Sequence, residues 1–360
     1  VVNTSDMRLA FAKIFDPTKD MVELIGASHE VTEPSIFGET DPDYIARELQ
    51  WYDSQSLSVE RFPGGAPTGW QAVAGGGGRI NSNYGHLLYS EANGYQFSHV
   101  VDWLLREGDY GRRATAVYTR PSIHEDATAD GMNDFICTNA VEYFWRDGAV
   151  DAVVQMRSND VIWGYRNDVA WQQEVLRRVV DELSYRGRRA EEGRLYWQTG
   201  SLHIYPRHYK KVMREILWHA LEAPARERTS GQLHHCSRKK VAAWFGPWPE
   251  LRQFNGGPMP CLRETPGHVL RSDYSDCPYP HAEIRLLEAQ PFATNIMWVT
   301  SPPCLPCCEK IVERGVETVI AGYRSEVDGH LPISEIREVL GERLHLVDLG
   351  NKSPAPMAED

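Results

Sequence analysis

Cys137, in DFICTNAVEYF, is the only cysteine in the first 230 residues, and it is followed by MRSND and GYRNDVAWQ, which bring Arg157, Ser158, Asp160 and Asp168. A thiol, a guanidinium and carboxylates along one stretch suit covalent chemistry on an anionic substrate. The thiolate is the nucleophile, a guanidinium clamps phosphate and favours the ionised sulfur, and a carboxyl moves protons. Pyrimidine alkylation at carbon 5 needs this set. That carbon is a poor nucleophile until a thiolate adds at carbon 6, and a general acid/base must then manage the proton. Each residue alone also has a plainer reading. A single cysteine is more often a small buried hydrophobe. Glu48 on a helix can be a solvated face, Arg112 and Arg113 in a turn can be surface charge, and His203 and Tyr205 alternating on a strand can be structural.

A second group lies near the C-terminus. PHAEIRLLEA at 280–289 and PPCLPCCEKIVERG at 302–315 supply His281, Cys304 and Cys307, one nitrogen and two sulfurs. Three such ligands hold zinc and leave a fourth position for water. Glu283, two residues after the histidine, is not a ligand in this scheme and would shuttle the proton of that water. A lone HAE or a lone CxxC says little; the two in this order, with the strand-like WVTS between them, form a strong signature. The plainer alternative is a zinc-bearing module kept for assembly or nucleotide sensing. Cys308 reads as core filler. Cys236, Cys261 and Cys277 show no ligand spacing and are read as structural.

Helices and a sheet must position these groups. Apolar spacing predicts helices over 42–56, 95–108 and 169–187, each segment of Cys/His opens a further helix, and ATAVYTR, VEYFWRDG and AVDAVVQMR predict strands between. GGAPTGWQAVAGGGG at 64–78 lacks a following helix with Lys-Ser/Thr and is read as a surface loop, not a phosphate loop. The polar run EAPARERTSGQ at 222–232 marks a domain boundary, and the tail 350–360 is expected to be disordered.

Composition narrows the class. The chain has 360 residues, enough for two cores, with 42% hydrophobic and 24% charged residues. A net charge of −12 argues against nucleic-acid or anionic-membrane partners, which reward a basic surface. No apolar run reaches membrane-spanning length and no signal pattern opens the chain, so a cytoplasmic location is expected. The chain begins with Val1, which leaves room for a native start upstream. Six of the seven cysteines fall after residue 230, which in a reduced compartment favours metal over disulfides.

The motifs resemble known families. MNDFICTNAVEYF is similar to the nucleophile segment of the thymidylate synthase superfamily, MRSND to its phosphate-and-folate segment, GRR at 111–113 to its paired arginines, and GSLHIYPRHY to its sugar-binding segment. ELIGASHEVTEPSIFG, YIARELQWYDSQSLSV, INSNYG, YTRPS and MRSNDVIWGYRNDVAWQ resemble the deoxycytidylate hydroxymethylase branch, from about residue 20 to 215. The resemblance implies Cys137 as nucleophile and Glu48 as proton-relay carboxylate. It implies that Arg157, Ser158, Arg112 and Arg113 bind phosphate, the last two across a homodimer interface. Asp160 and Trp70 would face 5,10-methylenetetrahydrofolate, Tyr84 would stand beside the nucleophile, and His203 with Tyr205 would hold the deoxyribose of a nucleoside monophosphate. The phosphate arginine that thymidylate synthases carry on an N-terminal loop has no counterpart in ELIGASHEVTEPSIFG.

Asp168 stands eight residues after Asp160, where the resemblance places asparagine in uracil-using members. A protonated carboxyl can accept from the amino group of cytosine and donate to N3, and leaving such buried groups unpaired costs enough to discriminate. A register one residue shorter would place Asn167 there and reverse the preference; the GYRNDVAWQ block supports Asp168. CSRKKVAAWF, FNGGP and DCPYPHAE, with the zinc signature, resemble deoxycytidylate deaminases over about 230–325, with a shorter Glu283-to-Cys304 gap than most members.

The expected fold is α/β (α+β): a thymidylate synthase-like mixed sheet with helices over 1–225, and a smaller three-layer αβα cytidine deaminase-like zinc domain over 230–349. The expected activity is hydroxymethylation of deoxycytidylate at carbon 5, with water capturing the exocyclic methylene, plus zinc-dependent deamination. The alternatives are a non-catalytic second domain or a thymidylate synthase-type methylase.

Overall fold

Alternation builds the first sheet. In β4 (Ala149–Asp160) every second side chain from Val150 to Met156 is buried, and β3 (Thr138–Arg146) repeats the pattern at Val141, Tyr143 and Trp145, as one covered sheet face requires. In the computed structural model these strands join β1 (Val22–Glu30), β2 (Thr115–Val117) and β5 (Glu191–Ile204) in the order β1-β5-β4-β3-β2. Only β4 and β5 run parallel; the other pairs are antiparallel. This is a mixed sheet. The structure describes residues 1–227, 234–235, 241–245, 253–254, 256–257, 281–289, 296–324, 328–329 and 331–350. Cys236, Cys261, Cys277, residues 228–233 of the boundary region and the tail 351–360 lie outside the described residues.

Two compact units are present. One comprises Val1–Arg8 and Met21–Tyr205, the other Leu9–Asp20 and Pro206–Asp360. Helix α1 (Thr4–Ile14) contributes to both. In the first unit, α2 (Pro42–Asp53) opens on Asp41, whose side chain accepts from the Tyr44 N–H, with Pro42 at the first helical position. Next come α3 (Thr68–Val73), α4 (Tyr84–Tyr89), α5 (Gln96–Glu107) and the single turn α6 (Ile123–Asp126). The long α7 (Gly164–Tyr185) buries Val169, Val175, Leu176, Val179 and Leu183 along one stripe. Gly85 allows α4 to meet α2: a Cβ there would stand 1.8 Å from the Tyr52 carbonyl oxygen.

Two expectations are corrected here. The glycine-rich region 64–78 is not only loop, because Thr68–Val73 form α3. The helix expected from 169 begins at Gly164, since the polar stretch YRND carries no apolar stripe to announce it. Asp168 therefore sits inside the helix.

In the second unit, β10 (Ile296–Val299), β11 (Thr318–Tyr323) and β12 (Leu344–Asp348) are parallel, while β7 (Ala242–Phe245) and β8 (Gln253–Phe254) continue the sheet antiparallel. β6 (His234–His235) pairs with β9 (Gly256–Gly257). Met297 and Val299 pack with residues of α9 (Ala282–Ala289), α10 (Leu305–Glu313) and α11 (Ile333–Leu340). Trp298, on the alternate face, meets Phe15 and stacks on Trp244. Phe15 also packs edge-on against Tyr209, the first residue of α8 (Tyr209–Glu227). Helices thus lie against both faces of this sheet.

Candidate functional site

The register of the first sheet gathers one end of three strands. Thr138, opening β3, pairs with Met156 near the end of β4, while Ser158 pairs with Ser201 and Asp160 with His203 across β4 and β5. Cys137, Arg157, Ser158, Asp160, His203 and Tyr205 therefore lie at one end of the sheet. The Arg157 N–H donates to the Cys137 carbonyl at 2.9 Å. Its guanidinium donates to the carbonyls of Ile136 and Phe135 at 3.0 and 2.7 Å and approaches the Cys137 sulfur at 3.7 Å. Burial pushes the Cys137 thiol up to about 11, against the lowering pull of Arg157. Arg157 lowers the thiol as expected, but desolvation outweighs it.

Asp134 ties down the segment leading to Cys137. Its carboxylate accepts from the N–H groups of Asn81 and Ser82 and from the Ser82 hydroxyl, at 2.6, 2.8 and 2.6 Å. Two residues further, Tyr84 is buried, stacks on Tyr52, and meets Tyr118 edge-on. A hydrogen bond with Thr138 places it beside Cys137, and burial holds its hydroxyl far above the usual phenol range.

Glu48 is buried on α2. Its Oε1 accepts from the Tyr44 hydroxyl at 2.7 Å and from the Trp70 indole at 3.2 Å, and the indole also reaches Tyr44 at 3.2 Å. Burial raises the Glu48 carboxyl to about 7, with both donors pulling it down. A carboxyl balanced there can give and take protons near neutrality. Asp168 is raised to about 8, first by burial and then by the charge of Glu48. Asn159 donates to its Oδ2 at 2.7 Å. At neutral pH Asp168 therefore keeps its proton.

His203 is buried, contacts Ser201, and meets Tyr205 edge-on at 4.7 Å. Asp160 Oδ1 accepts from the Ile162 N–H at 2.8 Å, and Trp163 beside it is half exposed. Arg112 and Arg113 do not join this group within one chain. They precede β2, whose antiparallel register carries them toward the Tyr143 end of β3, away from Cys137. Arg113 is exposed and paired with Glu107 at 2.6 Å.

In the second unit His281 immediately precedes α9, Glu283 is buried in its first turn, Cys304 caps α10, and Cys307 lies in its first turn. The ligand atoms of His281, Cys304 and Cys307 all lie within 4.8 Å of one another, with His281 Nδ1 at 3.3 and 3.4 Å from the two sulfurs. A hydrogen bond from Cys307, with His281 in support, draws the Cys304 thiol down. A nitrogen and two sulfurs converging in this way at two helix N-termini fit a zinc ion. Cys308 lies in the hydrophobic core.

The family described as thymidylate synthase matches residues 39–235. The chain belongs to the thymidylate synthase family. The match contains Glu48, Cys137, Arg157, Asp168 and His203, and ends before His281, Cys304 and Cys307. Within curated relatives, the deoxycytidylate 5-hydroxymethyltransferases of Enterobacteria phages T4, T2 and T6 are each 48% identical over 193 residues, spanning 53% of this chain and 78% of theirs. A solved structure of the thymidylate synthase of T4 phage aligns with 55% of this chain and 76% of its own at 17% identity and a TM-score of 0.45. No helix among the described residues of this family member is long and apolar enough to cross a membrane.

Tyr44, Asp134 and Asn159 belong to the site and were missed from sequence. Tyr44 stands four residues before Glu48 on one helix, a spacing that could have flagged it. Asp134 and Asn159 carry no comparable signal.

Proposed function

We propose that residues 1–225 transfer a one-carbon unit from 5,10-methylenetetrahydrofolate to carbon 5 of deoxycytidine monophosphate, giving the 5-hydroxymethyl nucleotide. The observation that carries this reading is the buried carboxyl of Asp168, hydrogen-bonded by Asn159 and close enough to Cys137 to act on its thiol, in a chain 48% identical to phage deoxycytidylate 5-hydroxymethyltransferases. Arg157 and Ser158 hold the phosphate, and His203 with Tyr205 the sugar. The Cys137 thiolate bonds to carbon 6, which turns carbon 5 into a nucleophile. Asp168 donates to N3 and accepts from the amino group. Glu48, steadied by Tyr44 and Trp70, relays protons. The folate supplies the carbon. Asp160 would hold it, with Trp70 and the open indole of Trp163 offering flat surfaces suited to a heteroaromatic ring. Water, and not hydride, then captures the exocyclic methylene. Thiolate formation requires the bound substrate or a neighbouring base to offset the burial of Cys137.

Arg112 and Arg113 would complete the phosphate site of a second copy. Their place away from their own Cys137 supports a homodimer, as does the exposure of Ile25 on β1 and Gln198 on β5.

For residues 230–349 the reading is a zinc-dependent cytosine deoxynucleotide deaminase. His281, Cys304 and Cys307 would hold the zinc, which would supply a polarised water, and Glu283 would move the proton of that water. The convergence of these ligand atoms supports this reading.

Mass spectrometry of the product from deoxycytidylate and methylenetetrahydrofolate tests the first activity. A hydroxymethyl product without dihydrofolate is expected; a methyl product with dihydrofolate would make the protein a methylase. Ammonia release that disappears in Glu283→Ala, with zinc retained by elemental analysis, tests the second. No release from the zinc-loaded wild type would leave it a non-catalytic module.

A further inference from the structure

A neutral carboxyl does not by itself tell cytosine from uracil. It has one O–H and one carbonyl oxygen. Facing cytosine, the carbonyl oxygen accepts from the 4-amino group and the O–H donates to N3. With the proton on the other oxygen, the O–H donates to O4 of uracil and the carbonyl oxygen accepts from its N3–H. Both pairings are complete. Selectivity therefore requires that the proton be fixed to one oxygen.

Asn159 is placed to do this. It is buried, and its Nδ2 donates to Asp168 Oδ2 at 2.7 Å. Its own Oδ1 is buried without a hydrogen-bond partner, so Asp168 is the group this amide is held by. The carbonyl oxygen of a carboxylic acid accepts hydrogen bonds far better than its hydroxyl oxygen. An N–H aimed at Oδ2 thus keeps Oδ2 unprotonated and leaves the proton on Oδ1. Gly164 makes the approach possible: a Cβ there would stand 3.1 Å from Asn159 Nδ2 and 3.6 Å from Asp168 Oδ2.

Resting on the reading that Asp168 faces the base, we infer that Asn159 is the positioning residue that decides which Asp168 oxygen carries the proton, and that this placement selects cytosine over uracil. Oδ2 then faces the exocyclic amino group and Oδ1 faces N3.

The test compares kcat/KM for deoxycytidylate and deoxyuridylate in wild type, Asn159→Ala, Asp168→Asn and the double variant. Asn159→Ala should slow deoxycytidylate and speed deoxyuridylate, so that the ratio falls about tenfold or more. Asp168→Asn should reverse the preference, and adding Asn159→Ala to it should leave the ratio unchanged, because the first residue acts through the second. Gly164→Ala, which keeps both side chains and crowds the amide, should shift the ratio the same way by a smaller factor; it also serves if Asn159→Ala fails to fold. Equal slowing of both substrates by Asn159→Ala and Gly164→Ala, with Asp168→Asn still reversing the preference, would overturn the role of Asn159 alone. An unchanged ratio in Asp168→Asn would overturn the underlying reading of Asp168 as well.

Discussion

Arg157 Nη2 stands 3.7 Å from the sulfur of Cys137 while donating to the Phe135 carbonyl at 2.7 Å. The guanidinium is anchored to the backbone just before Cys137, at Phe135 and Ile136, which holds its charge beside the sulfur. Its pull lowers the thiol, yet burial leaves it at about 11. Alkylation of Cys137 in the free protein should accelerate with pH up to about 11. Arg157→Gln removes the lowering charge and should slow alkylation below that pH by about tenfold. An unchanged rate would show that Arg157 does not act on the sulfur.

In the proposed pairing with cytosine, Asp168 must be neutral to donate to N3. With its carboxyl raised to about 8, kcat/KM for deoxycytidylate should fall as pH rises through that value. The sign for stability is the same: between 3.8 and about 8 the folded state keeps a proton that the unfolded chain has lost, so stability declines as pH rises across the window. Asp168→Asn should flatten this decline in urea unfolding at about pH 5 and about pH 8.5.

Glu48 carries a similar balance nearer neutrality. Glu48→Gln should reduce turnover by roughly a hundredfold or more while nucleotide still binds. Tyr44→Phe removes one donor that lowers the Glu48 carboxyl, so the acidic limb of the pH–rate profile should move up from about 7. A limb that stays put would take Glu48 out of proton transfer.

Gly85→Ala should destabilise the protein by about 2 kcal/mol or more, because the new methyl would run into the Tyr52 backbone, which cannot swing aside. Thermal unfolding measures it. A shift near zero would mean that α2 and α4 can separate freely.

Arg112 and Arg113 are expected to act in trans. Cys137→Ser and a double Arg112→Ala/Arg113→Ala variant should each be inactive, and mixing them through reversible unfolding should restore activity in hybrids that contain one intact site. Mixtures that stay inactive would place the two arginines outside the phosphate site.

Much of this was legible in the residues themselves. Alternation in 138–160 gave β3 and β4, and the parallel ladder that carries Ser158 and Asp160 beside Ser201 and His203 agrees with motifs quoted from both strands. The family assignment agrees with the resemblance over 39–235. What could not be read depended on contacts distant in sequence. Trp70 lies in a glycine-rich run with no helical stripe, yet α3 brings its indole to Glu48. Asn159 follows a break in alternation after Met156, where Arg157 is exposed and Asn159 buried. The net upward shift of Cys137 follows from desolvation, which no motif reveals.

Asp160 and His203 occupy the same rung of the β4–β5 ladder. In the proposed reading, the gap between the folate contact at Asp160 and the sugar contact at His203 is thus gauged by backbone spacing and not by rotamers. Deleting or inserting one residue in either strand would shift one contact by a rung relative to the other, so these two segments can be exchanged among relatives only as a matched cassette.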